Sequence, residues 1–222
     1  MHISQKLMAG VALSAGLAAG LAASGAAFAA TSATAVTDLN VRSGPGPEYP
    51  VVGLVGAGHQ ATVTGCVQGS KWCSIDNGGW VYSDYLTADV SGSAVVLTER
   101  PAAVEVPTVT YEPPKGGAVA GGMATGAVAG ALIGGPIGAA VGAVAGGAVG
   151  ATVIEPPEEV RTYVTTNTVD PIYLDGEVVV GAGLPETVTL REIPNYQYRY
   201  VYLNGQPVLV EPQSRRIVYV LR

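Results

Sequence analysis

The chain has 222 residues, a formal net charge of −6 and only 13% charged residues, against the ~25% usual in globular proteins. With 11 Lys+Arg in that acidic balance, a nucleic-acid binder is excluded, because phosphate neutralisation needs a basic surface. Hydrophobic residues make up 48% but aromatics only 6%, with 31 glycines, so the apolar mass is too small-grained and uneven for one large core.

His2 and Lys6 open the chain, residues 7–25 are uncharged, and Ala27-Phe28-Ala29 forms an A-x-A box. This is the layout of a cleaved export signal, residues 1–29. An uncleaved N-terminal anchor is the other reading, since the run is long for an h-region. The cleavage box favours removal, and with it a periplasmic or envelope location. No cysteine lies near the box, so a lipidated cysteine is excluded.

Cys66 and Cys73 flank Val67-Gln68-Gly69-Ser70-Lys71-Trp72. A two-residue turn at Gly69-Ser70 sets the cysteines opposite each other on antiparallel strands, close enough for a disulfide. A metal pair prefers C-x-x-C spacing with further ligands, and after export only His59 is left. A structural disulfide is expected.

Residues 34–89 read as short alternating strands broken by turns. Leu39 and Val41 share a face, Ser43-Gly44-Pro45-Gly46-Pro47 forces a loop, and further strands follow at Val51–Val55, Gln60–Val67 and residues 72–76. Asn77-Gly78-Gly79 turns into Trp80-Val81-Tyr82, and Ser83-Asp84-Tyr85-Leu86 reads as a closing 3₁₀ turn.

Leu39-Asn40-Val41-Arg42-Ser43-Gly44-Pro45-Gly46, then Trp72, then Gly79-Trp80-Val81-Tyr82-Ser83-Asp84-Tyr85-Leu86 resemble the bacterial SH3-like domain family. The resemblance implies a five-stranded barrel acting as a non-catalytic binding or targeting module, often towards cell-wall peptides. Tyr49, Trp72, Trp80, Tyr82 and Tyr85 are the candidate ligand groove, offering apolar faces with polar tips. Each of these aromatics has packing within the barrel as its alternative role.

Residues 90–115, with prolines at 101, 107, 113 and 114, read as an extended spacer. Residues 116–154 carry no charge, and Gly122, Gly126, Gly130, Gly134, Gly138, Gly142, Gly146 and Gly150 recur at every fourth position. Pro136 divides the run into two arms, 116–133 and 137–154, each ~27 Å long as a helix. That approaches the ~30 Å of a bilayer core, and glycine ridges admit close helix packing. The segment resembles the glycine-zipper hairpins of bacterial envelope proteins, which implies membrane association or self-association. A flexible linker is the alternative reading.

Residues 155–169, opening on Glu155-Pro156-Pro157-Glu158-Glu159, read as a second linker. Residues 170–222 read as a β-meander with hairpin signals at Asp175-Gly176 and Asn204-Gly205. Tyr196, Tyr198, Tyr200 and Tyr202 alternate along one face, as a packing ladder before a ligand platform. Pro185-Glu186-Thr187-Val188, Tyr198-Arg199-Tyr200, residues 206–210 and Arg215-Arg216-Ile217-Val218 resemble an uncharacterised C-terminal domain family of envelope proteins. The final hairpin is also similar to a periplasmic family tied to nickel and cobalt balance. This module has no His or Cys, so neither metal nor cofactor is expected.

No nucleophile–base pair or metal cluster stands out, so an enzyme is not expected. The expected protein is mainly β and multi-module: an exported envelope protein whose SH3-like barrel binds a cell-wall or protein peptide, while the glycine hairpin anchors or oligomerises it. The alternative is a structural or stress-related assembly protein with an unliganded barrel.

Overall fold

The computed structural model describes residues 30–99, 104–112 and 154–222. The signal segment 1–29 and all eight zipper glycines lie outside the described residues. Among the described residues no helix is long and apolar enough to cross a membrane.

Nine short strands build the first module: β1 (Thr31–Ala35), β2 (Leu39–Arg42), β3 (Val51–Val55), β4 (Gln60–Val67), β5 (Trp72–Ile75), β6 (Trp80–Tyr82), β7 (Leu86–Val90), β8 (Ser93–Val96) and β9 (Thr108–Val109). Their order is β3-β2-β6-β5-β4-β1-β7-β8, with β9 added to β4. The sheet does not close, which corrects the five-stranded barrel. Ser91 and Gly92, both at positive φ, turn β7 back into β8. The sheet thus continues past residue 89, and β1 begins before residue 34. The 90–115 spacer is corrected with it, since β8, a 3₁₀ turn at Leu97–Glu99 and β9 fall inside it.

The second module opens with α1 (Glu158–Thr166), where a linker was expected. Pro157 at the N-cap and Glu158 and Glu159 in the first turn suit a helix start. Val160 and Val164, four residues apart, are its buried positions. Four strands follow, β10 (Arg191–Glu192), β11 (Arg199–Leu203), β12 (Gln206–Val210) and β13 (Ile217–Val220), in sequential antiparallel order. Asn204 and Gly205, both at positive φ, make the β11–β12 turn that Asn-Gly signals.

The expected hairpin at Asp175-Gly176 does not form. Leu174, Val178 and Val179 are buried in irregular backbone instead. This run lies along the β sheet's margins, with Ile172 bridging Leu203 and Gly181 donating its N–H to Ile217 at 2.7 Å. The tyrosine face is shorter than expected, because β11 begins only at Arg199. Tyr200 and Tyr202 pack beneath α1 and donate their hydroxyls to the Asn167 and Val164 carbonyls.

The two modules share one hydrophobic core. Leu39, Val63, Val81 and Leu86 of the first belong to the same buried cluster as Leu174, Val178, Leu203, Val208 and Ile217 of the second. Together these apolar faces remove from water a surface that neither sheet covers alone.

Candidate functional site

At the joint, polar groups are matched within that core. Arg42, at the end of β2, is 1% exposed and Glu177 is 0% exposed. Arg42 Nε donates to Glu177 Oε2, and Nη2 donates to Oε1 at 2.7 Å. This two-bond fork is the strong geometry for arginine and carboxylate. Asn40 Nδ2 contacts Glu177 Oε1 at 3.1 Å, the Val178 carbonyl at 3.2 Å and Gln206 Oε1 at 2.7 Å. Glu177 Oε1 also accepts the Val178 N–H at 2.8 Å. The remaining guanidinium nitrogen, Nη1, donates to the carbonyls of Pro47 (2.9 Å), Tyr49 (2.7 Å) and Asn204 (3.2 Å).

One guanidinium therefore docks the second module and holds the 43–50 loop. Gly44 makes the loop's fold sterically allowed, since a Cβ there would run into the Tyr49 ring. Gly79, at φ +108°, does the same beneath β2, where a Cβ would meet Val41.

Of the five candidate groove aromatics, three are interior. Trp72, Tyr82 and Tyr85 are buried. The Trp72 and Tyr82 rings meet edge-on at 5.3 Å, with Tyr85 at 6.1 Å from Tyr82. Burial pushes the phenols of Tyr82 and Tyr85 well above their ordinary range. These three residues are corrected from groove to core, because an open nine-stranded sheet this small needs its large rings inside.

Tyr49 and Trp80 remain partly exposed, and the structure brings them together through a third ring that sequence reasoning missed. Tyr111 sits edge-on to Trp80 at 5.3 Å and to Tyr49 at 5.9 Å. Burial first, then the hydrogen bond with the Tyr111 phenol, pushes the Tyr49 pKa up to about 12. Tyr111 stood in a stretch read as spacer, and a tyrosine among its prolines and valines was the available signal.

Beside this slot a cleft of about 340 Å³ runs between the modules. Glu48, Tyr49, Pro50 and Val51 line it from one side, and Tyr173, Asn204, Gly205 and Gln206 from the other. Its neighbour β3 exposes Val51, Val52 and Leu54 at one end of the sheet.

Cys66 and Cys73 face each other across β4 and β5 and are joined as a disulfide, both fully buried. His59 is exposed, with Nδ1 at 3.3 Å from the Ala57 carbonyl. Among the described residues no group of three His, Cys, Asp or Glu is placed to hold a metal ion.

No curated protein and no solved structure matches the chain. Residues 37–87 match the family model of the bacterial SH3 domain, and residues 163–222 match that of a domain of unknown function (DUF1236). The second match takes in the last turn of α1, from Tyr163, along with the four-stranded sheet. The chain thus joins a bacterial SH3 domain and a DUF1236 domain through one shared core.

Proposed function

We propose that this is an exported, non-enzymatic envelope protein that binds a peptide of the cell wall or of another envelope protein. The binding surface is the Tyr49/Trp80 slot with the adjoining cleft. The carrying observation is that these two rings stay partly exposed on a bacterial SH3 domain whose other aromatics are interior. Aromatic faces with polar tips suit peptide contact. The disulfide supports an oxidising compartment, as do the uncharged run and A-x-A box at the start of the chain. The glycine-patterned residues 116–154 serve membrane association or oligomerisation.

The test is retention of the full mature chain on purified cell-wall peptidoglycan, with Tyr49→Ala as control. Retention that the substitution abolishes supports the reading. Wild-type protein passing through unretained overturns the cell-wall form of it.

A second reading is a structural assembly protein whose SH3 domain takes no external ligand. It is favoured by the buried Arg42–Glu177 pair, which commits part of the domain's surface to its own chain.

A further inference from the structure

Residues 104–112 cross the first module as an extended strap, and each part of the strap meets a feature shaped to it. Val104 and Val106 pack against the core, and the Glu105 carbonyl accepts the Thr31 hydroxyl at 3.1 Å. The Pro107 carbonyl accepts the Cys66 N–H at 2.8 Å, and β9 then pairs in parallel with β4, Thr108 against Cys66 and Val109 against Val67. Gly65 supplies the space, since a Cβ there would collide with Val109. Two residues on, Tyr111 enters between Tyr49 and Trp80.

This is strand addition in the sense used for peptide recognition: backbone bonds to a sheet edge, with side-chain pockets setting the sequence. Pro107 needs no N–H partner and supplies only its carbonyl, so a proline suits that position. The part of β4 involved is its C-terminal end, where β1 no longer pairs, since β1 covers only Gln60–Val63. A receptor that fits this segment in one chain fits the identical segment of another.

We propose that the β4 edge at Gly65–Val67, together with the Tyr49/Trp80 slot, is a strand receptor whose trans partner is residues 104–112 of a second copy of this chain. The strap inside one molecule and the strap between two molecules make the same contacts, which is the low-cost route to self-association by exchange. The proposal uses the same slot as the reading above but does not depend on a cell-wall ligand.

Complementation in the full chain tests it. A donor chain carries Trp80→Ala, or Gly65→Ala as a second variant that blocks the receptor without truncating a ring; its strap is intact but has no seat. An acceptor chain carries Tyr111→Ala and Val109→Ser; its receptor is intact but its strap is weakened. Both are first checked for a cooperative thermal transition. Fluorescent donor is expected to bind acceptor about ten- to a hundredfold tighter than it binds wild type, the range two ring contacts supply. Donor that also carries Tyr111→Ala is expected to lose that gain. A synthetic peptide of residues 104–112 forms the second arm. Folded acceptor that captures neither donor nor peptide overturns the receptor itself. Acceptor that binds peptide but not donor overturns the exchange between copies. Capture of donor without retention on peptidoglycan keeps this proposal and rejects the cell-wall ligand.

Discussion

Arg42 and Glu177, 135 residues apart in sequence, form a two-bond ion pair inside the joint between the SH3 and DUF1236 domains. A buried carboxylate and guanidinium lose their hydration, and their mutual attraction offsets that loss only when every lone pair and N–H is used. Here Asn40 and the Val178 N–H complete the carboxylate, while Pro47, Tyr49 and Asn204 complete the guanidinium.

Removing one partner leaves the other charged in the core. Glu177→Ala is expected to lower the unfolding free energy by about 3–5 kcal/mol, read from urea titration. The double variant Arg42→Met/Glu177→Leu is expected to recover most of this, because no charge is then stranded. It should still fall short of wild type, since the Pro47 and Tyr49 carbonyls lose their donor. A Glu177→Ala protein with an unchanged midpoint would contradict the pairing.

The domains are expected to fold together. Residues 30–112 made alone leave Leu39, Val63 and Leu86 at the margin of a halved core. They should show a broad thermal transition and bind hydrophobic dye. Adding residues 154–222 should sharpen the transition and displace the dye. A sharp transition for the first fragment by itself would count against a shared core.

The Cys66–Cys73 bridge closes a short loop, with a sequence separation of 7. Its loss through Cys66→Ala/Cys73→Ala is expected to cost roughly 2–3 kcal/mol by the loop-entropy relation. Both cysteines are fully buried, so a mild reductant should act slowly on native protein and fast in denaturant. Equal rates under the two conditions would place the bridge at the surface.

High pH should unfold the protein through its phenols. Tyr49 is pushed up to about 12 by burial and the Tyr111 bond, and burial raises Tyr82 and Tyr85 further. A raised folded pKa means that stability is complete below the ordinary tyrosine value of ~10. It then falls as pH climbs towards and through the folded values. Tyr85→Phe is expected to flatten that alkaline decline relative to its own neutral-pH stability. Tyrosinate difference spectra on native protein should show a late-titrating group near 12 that Tyr49→Phe removes. An ordinary titration for all phenols would refute the burial.

Two phenols fasten α1 to its sheet. Tyr202→Phe and Tyr200→Phe are each expected to cost about 0.5–1.5 kcal/mol, the net worth of a hydrogen bond. Faster amide exchange should be confined to residues 158–167. No change in exchange there would show the bonds to be immaterial.

What could be read from the linear chain was local. Asn204-Gly205 announces its turn because both residues take positive φ, and Cys66 opposite Cys73 follows from the Gly69 turn alone. The limits of Leu39–Arg42 and Trp80–Tyr82 were legible because Pro45 and Pro47 follow the first and Gly79 precedes the second. The joint was not legible in this way. Asn40 and Arg42 lie where an alternating strand would face solvent, but both are buried, against Glu177 and Gln206 of the second module and, for Arg42, the 43–50 loop. Glu177, a single acid before three valines, was the available hint. Trp72, Tyr82 and Tyr85 were misplaced because their rings pack on one another in the interior, a clustering that the linear pattern of aromatics does not distinguish from an exposed groove. Helix α1 was hidden by Pro156-Pro157, which serves a spacer and a helix start equally well.

The shared core also sets the order of events when the polypeptide is made. Asn40 and Arg42 emerge early, yet their partners Glu177 and Gln206 follow more than a hundred residues later. Such distant pairings are slow to nucleate, because chain closure must precede any gain from contact. The leading half therefore waits, incompletely packed, until the trailing half arrives.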